Sequence, residues 1–174
     1  MSIRYKKTMN IKPAKFADMK TIASFIRSSA DWYRPFLTEK DLKEHYVDED
    51  WERKNYEMRD FYIGKTESDD VGTISIQYAN NYSYLGYVYL DSKHVGQGYG
   101  HQLLDFAKEK SLEKEMEGMF LIAHPEAEWA IKAYEKYGFE RKFTQRQDIL
   151  SWNKGFLKPF YEEGFHLYIY PLAA

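Results

Sequence analysis

Three glycines alternate in the stretch His94-Val95-Gly96-Gln97-Gly98-Tyr99-Gly100. Ahead of them, Tyr82 to Leu90 is rich in aromatic and β-branched residues, which favour a strand. Behind them, Leu103, Leu104 and Ala107 recur at helical spacing. The glycines therefore sit where a strand turns into a helix. Such a turn points several backbone N–H groups one way, at the positive end of the helix dipole. Missing side chains let an anion come close to them. The chemistry is that of a pyrophosphate cradle; the plain alternative is a β-to-α turn without a ligand. Two other phosphate motifs fit poorly. A Walker loop needs Lys and then Ser or Thr after its last glycine, but His101 and Gln102 follow Gly100. A dinucleotide fingerprint needs a third glycine where Leu103 stands.

Other elements must hold this turn in place. Residues 1–8 read as a polar lead-in and 9–12 as a short first strand. Met19, Ile22, Ala23 and Ile26 follow i, i+3, i+4, i+7 and predict an amphipathic helix over 15–27. Residues 28–37 contain Pro35 and read as a loop. Thr38 is placed to cap a helix carrying Leu42, His45 and Tyr46, which restarts near Asp50 and runs to Arg59. Residues 61–65 read as a strand. Ile74, Ile76 and Tyr78 alternate with Ser75 and Gln77, the pattern of a half-buried strand, and Asn80-Asn81 make a tight turn.

The helix behind the glycines is predicted over Tyr99–Glu113, followed by a buried strand at 119–123. A further helix buries Ala130, Ala133, Tyr134 and Tyr137 and stops at Gly138. Residues 139–145 and 165–170 read as the last strands. Between them, 146–164 is long for a hairpin connection and holds Trp152, Phe156, Phe160 and Tyr161. It predicts a functional or dimer-forming excursion. The order of elements is that of an α+β domain, a twisted mixed sheet with helices on both faces.

The segment from Leu90 to Gly100 resembles the acetyl-CoA-binding motif of the GNAT N-acetyltransferases: Arg or Gln, two residues, Gly, one residue, then Gly or Ala. A second segment, Ala130-Ile131-Lys132-Ala133-Tyr134-Glu135-Lys136-Tyr137-Gly138-Phe139, looks like the Ala-x-x-x-Tyr-x-x-x-Gly-Phe run of that family's fourth helix. Two independent segments in the right order are stronger than either alone. The resemblance implies a single GNAT-like domain over residues 1–174 with the 146–164 insertion. It implies a mostly antiparallel mixed sheet of about seven strands, splayed between the fourth and fifth where a thioester enters. It also implies transfer of an acetyl group from acetyl-CoA, as cosubstrate, to a primary amine of a small molecule or peptide, by direct attack in a ternary complex.

Under that resemblance, the pantetheine pairs along Val88, Tyr89 and Leu90, whose backbone N–H groups also reach the thioester carbonyl. Val95, Gly96, Gln97, Gly98, Tyr99, Gly100 and His101 hold the pyrophosphate. Tyr134 contacts the cofactor and protonates the departing sulfur. Trp32, Tyr33, Phe36 and Tyr87 line the acceptor pocket. Trp32, Tyr33 and Phe36, with Trp51, would serve equally well as packing between helices and sheet.

Three departures from the family pattern stand out. Val95 replaces the motif's Arg or Gln, and Ala127 replaces an Asn ahead of the fourth helix. The fourth strand carries Tyr82, Tyr84, Tyr87 and Tyr89 where many members have a catalytic carboxylate. The base is then His124, Glu126, Tyr84 or a water relay. These departures keep a second function open, a non-catalytic acyl-CoA-binding or sensor module of the same fold.

Composition sets the outer limits. A chain of 174 residues makes one domain with a real core. The formal net charge of −2 provides no global field for nucleic acid or a membrane surface. The absence of cysteine excludes disulfides, thiolate metal sites and a Cys nucleophile, and no metal is expected. No apolar run approaches the ~20 residues of a membrane span. The N-terminus lacks an apolar signal core, so a cytoplasmic location is expected. With 16 Tyr, 11 Phe and 4 Trp, the chain has either a Tyr-rich core or an aromatic-walled cleft. Asp31, Glu39 and Asp41 either favour a cationic amine or mark a solvated helix start.

Overall fold

Strand β4 (Tyr82–Leu90) runs through the middle of a seven-stranded sheet. Its companions are β1 (Asn10–Pro13), β2 (Asp60–Lys65), β3 (Asp70–Ala79), β5 (Gly118–Ala123), β6 (Glu140–Phe143) and β7 (His166–Pro171). The order across the sheet is β1-β2-β3-β4-β5-β7-β6. Five neighbouring pairs are antiparallel, and β4 with β5 is the parallel one. The computed structural model describes residues 8–36, 38–39 and 47–172.

Antiparallel neighbours can be joined by tight turns, whereas the parallel β4–β5 pair needs a crossover. Asn80 and Asn81 make the β3–β4 turn at φ 48 and 75, a region that Asn tolerates. Helix α3 (Tyr99–Glu113) forms the crossover and buries Leu103, Leu104 and Ala107 on one face of the sheet, with Leu85, Met119 and Leu121. Helix α4 (Glu128–Tyr137) lies beside it, tied by the Tyr137 hydroxyl donating to Asp105 Oδ1 at 2.8 Å. On the opposite face, helix α1 (Met19–Tyr33) packs Met19, Ile22, Ala23 and Ile26 against Phe61 and Ile63. Helix α2 (Glu49–Met58) begins at Asp48, whose side chain accepts from the Trp51 N–H at 2.8 Å. Helices therefore cover both faces.

The 146–164 excursion is folded rather than open. Helix α5 (Arg146–Ser151) and a following 3-10 turn (Trp152–Gly155) place Ile149, Trp152, Phe156, Leu157 and Phe160 over Tyr84, Phe120 and Leu167. Its aromatic residues thus complete the core of this chain.

Two local expectations need adjustment. Residues 28–33 extend α1 instead of forming a loop, and a 3-10 turn (Arg34–Phe36) absorbs Pro35. The Ser28 and Ser29 hydroxyls donate to the Phe25 carbonyl, so these serines satisfy themselves inside the helix. In α4, Ala133 is exposed. The inward stripe there is Ala127, Ile131, Tyr134 and Tyr137, because Ala127 precedes the helix and sets its phase. Leu42, His45 and Tyr46, expected on a helix after Thr38, lie outside the described residues. No helix among the described residues is long and apolar enough to cross a membrane.

Candidate active site

Strands β4 and β5 pair only from Tyr82↔Gly118 to Tyr84↔Phe120, yet β4 continues to Leu90 and β5 to Ala123. Beyond Tyr84 the two strands part. A cleft of about 460 Å³ opens between them, reached by Trp51 and Arg59 from the α2 side, Tyr134 from α4, and Phe160 and Glu162 from the excursion.

A bulge shapes the β4 edge of this cleft. The register changes from Ile74↔Val88 to Ile76↔Leu85, so Gly86 and Tyr87 together oppose Ser75. The Tyr87 N–H donates to Ser75 Oγ at 2.9 Å, and the Asp91 N–H donates to the Val71 carbonyl at 2.8 Å. Backbone groups alternate sides along a strand. The N–H groups of Val88 and Leu90 therefore point away from β3, into the gap. This is the edge on which an extended ligand could add as a strand.

At the far end of β4 the glycine turn has the backbone that its sequence suggests. Gly96 and Gly98 take φ 83 and 87, a left-handed conformation that costs glycine least. Gly98 is the N-cap of α3 and offers no side-chain acceptor. The first helical bond runs from the Gln102 N–H to the Gly98 carbonyl at 3.3 Å, so the N–H groups of Tyr99, Gly100 and His101 have no acceptor within the helix. These groups fit an anion such as a diphosphate. Val95 is half exposed beside them, and the Tyr99 ring is buried, leaving its backbone as the part available to a ligand. His101 lies 3.4 Å from Asp105 and packs edge-on against Tyr137. The Gln97 side chain donates to the Lys93 carbonyl at 3.4 Å.

Tyr134 lines the cleft from α4, its ring 5.8 Å from that of Phe139. Ala127 and Ala130 line the same wall. Tyr87 stands opposite, its hydroxyl accepting from Trp51 Nε1 at 3.2 Å. The side chains of Trp32, Tyr33 and Phe36 lie outside the described residues.

The base candidates separate on physical grounds. Tyr84 is only 4% exposed, its ring stacked on Phe120 at 5.1 Å. Burial pushes its hydroxyl well above the usual phenol range, more than the Arg59 cation pulls it down. A hydroxyl held in its protonated form in this way favours a donor role over that of a base. Burial lowers the pKa of His124, so it is neutral at pH 7. Its Nδ1 accepts from the Glu126 N–H at 3.1 Å, which puts its proton on Nε2. The Nδ1 lone pair is thus engaged, and His124 enters the cleft as a donor. Glu126 is exposed beside it.

His124 is electrostatically coupled to His166, whose pKa is also lowered, first by burial and then by Arg141. Both histidines titrate near 6.5 when unfolded. Below that pH the unfolded chain takes up protons that the folded chain resists, so stability falls as the pH drops through 6.5. The thermal midpoint should be lower at pH 5.5 than at pH 7.5. Replacing both with Gln should flatten the difference, and an unchanged slope contradicts the assignment.

Several cleft residues were not marked by the sequence. Arg59 ends α2, where a basic residue ordinarily reads as a helix-dipole partner. Asp50 and Asn55 look like an ordinary polar helix face. For Phe160 and Glu162 a signal existed in the length and aromatic content of 146–164.

A parted parallel pair, a bulged strand with amides turned into the gap, and a glycine turn with unpaired helical N–H groups give the site the layout of a GNAT-like fold. Residues 26–139 match the model of the Acetyltransferase (GNAT) family, and the chain belongs to that family. Solved structures share the fold at low identity. The PaiA N-acetyltransferase from Thermoplasma acidophilum, in complex with coenzyme A, has a TM-score of 0.75 at 16% identity, covering 95% of this chain and 99% of its own. A GNAT-family acetyltransferase from Staphylococcus aureus Mu50 has a TM-score of 0.70 at 20% identity, with coverage of 95% and 99%. The ribosomal-protein-S18-alanine N-acetyltransferase from Escherichia coli has a TM-score of 0.66 at 13% identity, covering 96% of each chain. No curated protein matches the sequence.

Proposed function

We propose that this protein transfers an acetyl group from acetyl-CoA to a primary amine of a small molecule or peptide, by direct attack in a ternary complex. The observation that carries this reading is the gap beyond Tyr84↔Phe120, with the Val88 and Leu90 amides on one edge and Tyr134 on the facing helix. Acetyl-CoA brings an activated acyl carbon and a thiolate leaving group. The amides of Val88 and Leu90 bind the extended pantetheine arm, and one of them donates to the thioester oxygen, where negative charge develops. The amides of Tyr99, Gly100 and His101 hold the diphosphate. Trp51, Tyr87 and Phe160 seat the amine.

As the new C–N bond forms and the C–S bond breaks, the Tyr134 hydroxyl gives its proton to the sulfur. The amine proton leaves through cleft water to Glu162, and the His124 Nε2–H orients that water. Val95 and Ala127 take two side chains out of cofactor binding and leave it to backbone donors.

A non-catalytic CoA-binding module is the second reading, favoured by the run of tyrosines without a carboxylate on β4. Release of free thiol from acetyl-CoA, followed over a panel of primary amines, separates the two. Amine-dependent release is expected. CoA binding with no release for any amine favours the second reading.

A further inference from the structure

Arg59 places a buried positive charge in the wall of the cleft, outside every ion pair among the described residues. The residue is only 8% exposed, and none of the ion pairs among the described residues includes it. Its Nε donates to Asn55 Oδ1 at 3.2 Å, while Nη1 is buried and bonds to no described group. Aromatic rings surround the guanidinium: those of Tyr87 and Phe160 lie 4.8 Å from Cζ, and that of Tyr84 lies 5.8 Å away. A Cβ at Gly86 would collide with Nη1, so the β4 bulge is shaped around this group.

Rings offset part of the cost of burying a cation, but an apolar side chain of similar size would pack among them as well or better. A buried charge outside the described ion pairs, with one unused donor, is therefore suited to something that enters the cleft. The entrant's direction is fixed by the fold. The diphosphate cradle lies at the end of β4, and Tyr134, Ala127 and Ala130 stand on the α4 wall. Arg59 stands with Trp51 and Tyr87 on the α2 wall, the acceptor side. The cleft also presents Asp50 and Glu162, carboxylates suited to an ammonium group, so its two charge signs match a zwitterion.

Building on the acetyltransferase reading, we propose that the acceptor is a small amino acid whose carboxylate binds the Arg59 guanidinium while its amine faces the thioester. The carboxylate takes the Nη1 donor, which no described group uses, and forms the strong charge-assisted type of hydrogen bond. Asn55 and the surrounding rings hold the guanidinium in place.

The test compares each amino acid with its own amide, with acetyl-CoA as donor: phenylalanine against phenylalaninamide, and 4-aminobutyrate against 4-aminobutanamide. Phenylalaninamide has the more easily neutralised amine, so reactivity alone favours it over its acid. For at least one pair, the wild-type protein should favour the carboxylate in kcat/KM by about tenfold to a hundredfold. Arg59→Gln should bring that ratio to about one, and Gly86→Ala, which displaces the guanidinium, should reduce it as well. Acetylation of both amides at least as fast as their acids by the wild-type protein overturns the proposal, as does a ratio that survives in Arg59→Gln. The wild-type ratio alone decides the matter if either variant fails to fold. Acetylation without a carboxylate preference leaves the acetyltransferase reading intact. The absence of amine-dependent thiol release for every amine removes that reading and this proposal together.

Discussion

Tyr134→Phe should lower kcat about a hundredfold or more and leave the KM for acetyl-CoA nearly unchanged. Only an oxygen is removed, so the ring keeps its place against Phe139 and its wall of the cleft. The proposed role of that oxygen is to protonate the sulfur as the C–S bond breaks, which matters in the transition state more than in the bound ground state. Steady-state kinetics with a fixed amine and varied acetyl-CoA separates these effects. A raised KM with unchanged kcat would make Tyr134 a binding residue, and unchanged kinetics would remove it from the mechanism.

Phe120→Ala should destabilise the fold by about 3–5 kcal/mol. Phe120 is fully buried on β5 and contacts the rings of Tyr84 at 5.1 Å, Trp152 at 4.8 Å and Phe156 at 5.9 Å. It is the point where the sheet holds the 146–164 excursion. Truncation leaves a cavity under that segment and loosens Phe160 and Glu162 at the cleft. Denaturant unfolding should show the loss in stability, and limited proteolysis should begin within 146–164 before the sheet opens. A loss under about 1 kcal/mol, or first cleavage elsewhere, would show that the excursion is held by other contacts.

Much of the fold is legible in the sequence because local signals there agree with tertiary demands. The bounds of β4 and α3 coincide with the aromatic run and the Leu103, Leu104, Ala107 stripe. The Gly98 turn lies between them as expected. Disagreement arises where tertiary contacts override local pattern. Ser28 and Ser29 look like helix breakers, yet each bonds back to Phe25. Ala133 fits an apolar stripe on paper, but α4 is phased by Ala127 and turns it outward. At the candidate site, backbone features were readable and side-chain partners were not. The splay depends on where β4–β5 pairing stops, and the β4 bulge on one extra residue opposite Ser75. Arg59 acquires meaning only when α2 is laid against Gly86 and the excursion brings Phe160 over it. Long-range juxtapositions of that kind leave no periodic trace in the chain.

The central claim is that acetyl-CoA adds along the open edge of β4 and sets its diphosphate on the α3 N-terminus. Residue-resolved amide hydrogen exchange, with and without acetyl-CoA, addresses it most directly. Exchange at Val88, Leu90, Tyr99, Gly100 and His101 should slow on binding, while that of Tyr87, already bonded to Ser75, should change little. Saturating acetyl-CoA that leaves those five amides unprotected, or protects a different surface instead, would contradict it.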